Sequence, residues 1–271
     1  MDKYIFNIYN MKYLNINDII LLSKSKRQKE IAEIFKVSPS TIGRILKNNN
    51  IQTNRSRLNE SKLYFNINYF DEINSYEKAY WLGFIAADGC LKSNKVRLVS
   101  KDEEVIVKFK KAIESEHKIV RSITTDKRSG KKHELFIISI TNNIFTKKLE
   151  RFINIDKSNN FNLPKIDNNL YPFFLAGMFD GDGSFSIYGN NKNNIKASLI
   201  STKECLEQII NLLEINIGLK KRPTILKHYT TYRFYLYKYS KCFLDYIYNE
   251  KFKTLYLSRK YNKYHEYKNK K

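Results

Sequence analysis

Two stretches of this chain, Trp81–Gly89 (WLGFIAADG) and Leu175–Gly183 (LAGMFDGDG), are apolar runs that each end in Asp-Gly. Small residues recur within both: Gly83, Ala86 and Ala87 in the first, Ala176, Gly177 and Gly181 in the second. Helices built this way can pack backbone to backbone, since the side chains at the crossing set the distance between helix axes. Such a contact would bring Asp88 and Asp182 together at the helix C-termini. A carboxylate there opposes the helix dipole, and two carboxylates repel each other. A divalent cation removes that penalty. Mg²⁺ accepts a few carboxylate and carbonyl oxygens, here those of Asp88 and Asp182 and the main chain of Ala87 and Gly181, and takes its other ligands from water and phosphate oxygens.

The elements after each run repeat as well. Behind the first come strand-like VRLVS at 96–100 and an amphipathic helix at 102–115, with Val105, Phe109, Ala112 and Ile113 at spacings of three and four. Two strands at 117–125 and 134–140, separated by a basic turn, and a helix at 142–152 complete the unit. After the second run the order returns: strands around 183–188 and 196–201, a helix at 203–213, strands at 219–227 and 232–237, and a helix at 240–248. The offset from Asp88 to Asn142 nearly equals that from Asp182 to Ser240, which makes duplication the economical explanation. The expected fold class is α+β, a pseudo-two-fold tandem duplication of an αββαββα unit occupying 66–155 and 170–271. A polar linker at 156–169, containing Pro164, joins the copies. From Arg259 the chain reads as a basic, aromatic helix whose last lysines fray.

The expected first domain, 1–65, has a different character. QKEIAEIF (28–35) has helical periodicity, Lys36-Val37 makes a turn, and Ser38-Pro39 supplies an N-cap followed by proline at the first helical position. A second helix runs to about Lys47 with Ile42, Ile45 and Leu46 inward and Ser40, Thr41 and Arg44 exposed, and 15–22 can supply a preceding helix. The pattern reads as helix-turn-helix, with Ser40, Thr41 and Arg44 as DNA contacts.

Charge points the same way. There are 49 Lys plus Arg against 27 Asp plus Glu, a formal net charge of +22, which is self-repelling unless a polyanion neutralises it. Nucleic acid is the natural partner. A membrane is not expected, because no apolar run approaches the roughly 20 residues that span lipid, and the N-terminal stretch does not read as a signal peptide. Cys90, Cys205 and Cys242 are too far apart for a Cys-x-x-Cys site and read as reduced thiols of an intracellular protein.

The two acidic runs resemble the signature helices of single-chain LAGLIDADG homing endonucleases. The second differs from the nine-residue signature at three positions; the first departs at Trp81, Leu82, Phe84 and Ala86 but keeps Gly83, Ile85, Ala87, Asp88 and Gly89. The resemblance implies that Asp88 and Asp182 are metal ligands and catalytic, and that the earlier acidic position is structural: Asp180 in one copy, Ala86 in the other. It implies two saddle-like four-stranded antiparallel sheets reading double-stranded DNA, with Mg²⁺ as cofactor and Mn²⁺ able to substitute. A peripheral polar pocket would take Ser100 and Ser201 as its polar residues and Lys157 and Lys260 as its lysines. Expected DNA contacts are Lys95, Arg97, Arg121, Lys127, Arg128, Lys131 and Lys132 in the first half. In the second they are Lys192, Lys196, Lys220, Lys221, Arg222, Lys227 and Arg233. The function implied is site-specific hydrolysis of both strands of a long pseudo-palindromic target by a monomer, in a bacterial or phage-host cytoplasm or an organelle. Two alternatives stand beside it: an intron RNA maturase, and a non-cleaving regulator that reads DNA through the helix-turn-helix.

Overall fold

The computed structural model describes residues 4–6, 13–23, 26, 28–49, 63–126, 130–154, 160–190 and 193–270. The chain divides into two compact units, Met1–Ser61 and Lys62–Lys271.

In the first unit β1 (Tyr4–Phe6) pairs antiparallel with β2 (Tyr13–Asn15), a hairpin that hydrophobic periodicity did not reveal. Three helices come next: α1 (Ile16–Ser23), α2 (Gln28–Ile34) and α3 (Pro39–Asn48). They close around Ile16, Ile19, Ile31, Ala32, Ile42, Ile45 and Leu46. Between α2 and α3 the chain turns through Lys36 at φ +52°, and the Val37 amide donates to the Ala32 carbonyl at 2.9 Å. Ser38 then caps α3, its Oγ accepting from the Thr41 amide at 3.2 Å. Ser38→Ala should lower the opening free energy of the α3 amides by about 1 kcal/mol in hydrogen exchange; unchanged protection would mean that Pro39 and packing alone define the helix start.

The second unit repeats one order of elements. Its first half runs α4 (Tyr76–Asp88), β3 (Gly89–Lys92), β4 (Lys95–Ser100), α5 (Glu103–Ala112), β5 (Val120–Thr125), β6 (Lys132–Thr141) and α6 (Asn143–Glu150). Its second half runs α7 (Tyr171–Asp182), β7 (Ser184–Tyr188), β8 (Asn194–Ser201), α8 (Lys203–Ile217), β9 (Leu226–His228), β10 (Thr231–Tyr235) and α9 (Ser240–Ile247). The strands form two antiparallel sheets of matching order, β3-β4-β6-β5 and β7-β8-β10-β9. This is the pseudo-two-fold α+β duplication. Side-chain caps start the helices where the sequence offers them: Ser75 accepts from the Lys78 amide, Asn142 from Phe145 and Thr202 from Cys205. A single apolar core runs through both halves, with Tyr80, Trp81, Phe84, Phe174 and Phe179 of the two central helices fully buried in it.

Two strands differ from expectation. β3 is a strand although only Gly89 and Leu91 of its four residues are buried, too short a pattern to show alternation. β9 is confined to Leu226–His228 rather than spanning 219–227: Pro223 has no amide to give a ladder, and Leu219 is drawn into the core instead. The basic, aromatic helix expected from Arg259 is α10 (Ser258–Asn269), one face of which Tyr261, Tyr264 and Tyr267 bury. Among the described residues no helix is long and apolar enough to cross a membrane.

Candidate functional site

The site is built by α4 and α7 crossing at their glycines. A Cβ on Gly83 would fall on the Phe174 carbonyl oxygen, and one on Gly177 would fall on the Tyr80 carbonyl oxygen, so no side chain of any size fits at either place. Further along, a Cβ on Gly181 would lie 2.5 Å from Ala87 Cβ and 3.4 Å from Asp88 Oδ2. The C-terminal end of α4 therefore abuts that of α7, and Asp88 stands against the residue preceding Asp182. Both aspartates are exposed, while Ala87 and Gly181 are half-buried.

Lys260, from α10, is nearly buried (7% exposed) and lies under this junction. Its Nζ donates to the carbonyls of Phe179 at 2.6 Å, Asp180 at 2.9 Å and Gly183 at 2.6 Å. All three ammonium protons are thus spent on carbonyls at the end of α7, of which that of Phe179 also accepts from the Gly183 amide at 2.9 Å, and a cation there favours the helix dipole. Burial pushes its pKa down to about 8. The charge of Asp180 opposes that fall most strongly, Arg259 adds to it, and Asp88 and Asp182 pull back upward. One ammonium group thus feels the carboxylates of both helix ends.

Asp180 is buried (2% exposed) and fully hydrogen-bonded: it accepts from Tyr80 Oη at 2.8 Å, Tyr248 Oη at 2.6 Å and the Leu257 amide at 2.8 Å. Burial raises its carboxyl above the ordinary range, against the opposing effects of Lys260 and these three donors. Counting back from Asp88 and Asp182, Ala86 matches Asp180 and Phe174 matches Tyr80. The pseudo-symmetric copy of the Tyr80–Asp180 hydrogen bond has thus lost donor and acceptor together. That exchange is far less costly than losing one alone.

Sequence spacing did not reveal the bonds that fasten the two halves around this centre. Glu104 of α5 accepts from the Ser258 amide at 2.9 Å and hydroxyl at 2.6 Å. Asp102 takes Arg259 Nε at 3.0 Å, and Lys108 Nζ donates to the Tyr256 carbonyl at 2.7 Å. These partners are some 150 residues apart, so no local pattern signals them.

The donor set fits Mg²⁺ only in part. Among the described residues no group of three or more His, Cys, Asp and Glu stands together to hold a metal. Two carboxylates and neighbouring carbonyls are hard oxygen donors of the kind Mg²⁺ takes, leaving the rest of its octahedron to water and phosphate.

Register divides the expected DNA-contacting residues between two faces. Val96 and Leu98 of β4 point into the core, so Lys95 and Arg97 take the opposite face. In the second sheet Ala197, Leu199 and Phe234 point inward and Lys196 and Arg233 outward. Lys196 Nζ lies 4.8 Å from the Tyr235 ring centroid, while Arg233 bonds His228 at 3.0 Å and Tyr235 Oη at 3.2 Å. Ser100, Arg121 and Lys132 share the parity of buried Phe136, and Ser201 and Lys227 that of Tyr232. Arg121 packs over Phe136 and pairs with Glu103 at 3.3 Å. Arg222 is tied to Glu207 and Glu214 at 3.2 and 3.4 Å. Lys131, Lys220 and Lys221 are exposed. On α3, Ser40 and Arg44 are exposed and Thr41 half-buried. Lys127, Arg128, Lys157 and Lys192 lie outside the described residues.

A duplicated αββαββα unit whose two acidic helices meet along a glycine seam defines a recognisable class. The family model of the LAGLIDADG-like domain matches residues 75–154 and 171–257, and the chain belongs to that family. Similar solved structures include the homing endonuclease I-WcaI bound to its DNA recognition sequence, at 18% identity over 70% of this chain and 98% of that one (TM-score 0.48). The LAGLIDADG meganuclease I-AabMI bound to uncleaved DNA is similar at 13% identity over 70% and 88% (TM-score 0.41). The N-terminal LAGLIDADG domain of DUF199/WhiA is similar at 19% identity over 68% and 88% (TM-score 0.45). A comparison with curated proteins finds no match.

Proposed function

We propose that this chain is a metal-dependent, site-specific endonuclease that hydrolyses both strands of duplex DNA at a long pseudo-palindromic target. The observation that carries the reading is the junction of α4 and α7, where Asp88 stands against Gly181 and both Asp88 and Asp182 act on Lys260. Two exposed carboxylates at abutting helix ends, above a lysine whose protons are spent on main-chain carbonyls, are hard oxygen donors suited to a divalent cation. Mg²⁺, or Mn²⁺ in its place, would be held by Asp88 and Asp182 with the carbonyls of Ala87 and Gly181, and would supply charge neutralisation and water activation at the scissile phosphates.

The chain's own residues do the rest. Lys260 holds the last turn of α7 rigid, and its charge adds to the positive potential felt by a phosphate. Lys95, Arg97, Lys196 and Arg233 would meet phosphates and base edges from the two sheets, with Lys157 and Lys260 as the two lysines of the catalytic set. The helix-turn-helix, through Ser40, Thr41 and Arg44, adds contacts beside the central target and lengthens the site. Incubating the protein with a randomised duplex library in Mg²⁺ and sequencing the cut ends tests this. A defined cleaved family, lost in chelator, is expected. An uncut library in both Mg²⁺ and Mn²⁺ would sink the nuclease reading in favour of RNA binding or regulation.

A further inference from the structure

Beside the outer strand of the second sheet lies a cleft of about 610 Å³, between the run leading into β9 and the turn after β10. That volume is in the range of small-molecule sites. Tyr235, Tyr237 and Tyr239 line it together with Leu226 and Lys221.

Tyr237 is the unusual member. It sits at φ +43°, in the left-handed region that a bulky side chain adopts only under strain, yet the residue is 58% exposed. Burial of the ring does not repay that strain. The conformation displays the ring next to Tyr235, with centroids 6.0 Å apart, and Lys196 Nζ lies 4.8 and 5.8 Å from the two ring centroids. Tyr235 shares a cross-strand row with Ser198 and Ser184, and Ser184 lies two residues after Asp182. Tyr235 therefore stands two strand spacings, or roughly 10 Å, from the residue that begins β7 just after the acidic helix end.

Exposed aromatic faces, an ammonium group beside them and an apolar floor are what a nucleobase and its phosphate require. A neutral sugar would stack on the rings but would not account for Lys196 and Lys221. We propose that this cleft receives an unpaired nucleobase of single-stranded nucleic acid, stacked on Tyr237 and Tyr235, with its phosphate near Lys196 and Lys221. The proposal rests on the nucleic-acid reading above for its class of ligand, and does not depend on cleavage.

Tyr237→Gly tests it, because glycine adopts this conformation freely while the ring is removed. Fluorescent oligo-dT and oligo-rU are titrated into the full chain, with duplex DNA in parallel. The variant should lose about tenfold or more in affinity for the single strands, hold its duplex affinity, and melt at the parent's temperature or higher. The oligomer whose binding depends on Tyr237 names the source as DNA or RNA. Should the glycine variant melt lower, Tyr237→Asn, which also tolerates this backbone, replaces it; single-strand binding equal to the parent's by the folded variant overturns the proposal. Equal losses on duplex would assign the ring to the duplex surface and overturn it as well. If the parent binds neither single strand nor duplex, the nucleic-acid reading itself fails.

Discussion

Asp88→Asn and Asp182→Asn are each expected to abolish double-strand cleavage of a cognate plasmid while leaving duplex binding in place. Both side chains are exposed and the amide has the carboxylate's shape, so neither change disturbs the glycine seam beneath. What changes is charge: a site with only two carboxylates loses half of its anionic donors, and hard divalent cations are held by charge. Each aspartate opposes its helix dipole and its neighbour but attracts the Lys260 ammonium, so the effects offset and the variants should melt close to the parent. Linear product, gel-shift affinity and melting temperature measured together separate the outcomes. Undiminished linear product from either variant would end the idea of one composite site.

Gly83→Ala should destabilise the second unit by about 4 kcal/mol or more, because the added methyl meets main chain and not a movable side chain. The new Cβ would sit on the Phe174 carbonyl oxygen, 2.8 Å from its carbonyl carbon and 3.1 Å from the Met178 amide nitrogen. These are main-chain atoms of a buried helix and cannot rotate away, so the helices must separate and uncover the core that their crossing seals. Gly177→Ala meets the Tyr80 carbonyl in the same way. Gly43→Ala is the control. There the nearest atoms, 3.4 Å away, belong to the Gln28 side chain, and gaining a helix former in α3 should stabilise by up to about 1 kcal/mol. Denaturant unfolding measures all three; equal, small effects would mean that α4 and α7 are not in backbone contact.

Much of this was legible in local pattern. Period-3.6 and period-2 runs, the cap at Ser38, and the return of the same order after Asp182 announced two αββαββα units and a helical unit before them. Lys260 was singled out only through the family resemblance, and that it caps α7 required knowing where α10 returns. Arg121 and Lys227 were expected among the DNA contacts from the resemblance, their charge and an alternation that permitted it. Only the strand register, which a shift of one residue would invert, put them with the inward parity.

The sequence by itself determined which helices could touch, since glycine at 83 and 177 is a property of composition at a position. It also determined that two acidic groups would stand at their ends. The tertiary structure alone decided how that pair is held. Asp180 gathers Tyr80, Tyr248 and the Leu257 amide from three separate segments, and Glu104 binds Ser258 across the two halves. Such contacts are made by chain return over long loops, and nothing in local periodicity records which distant residue will arrive.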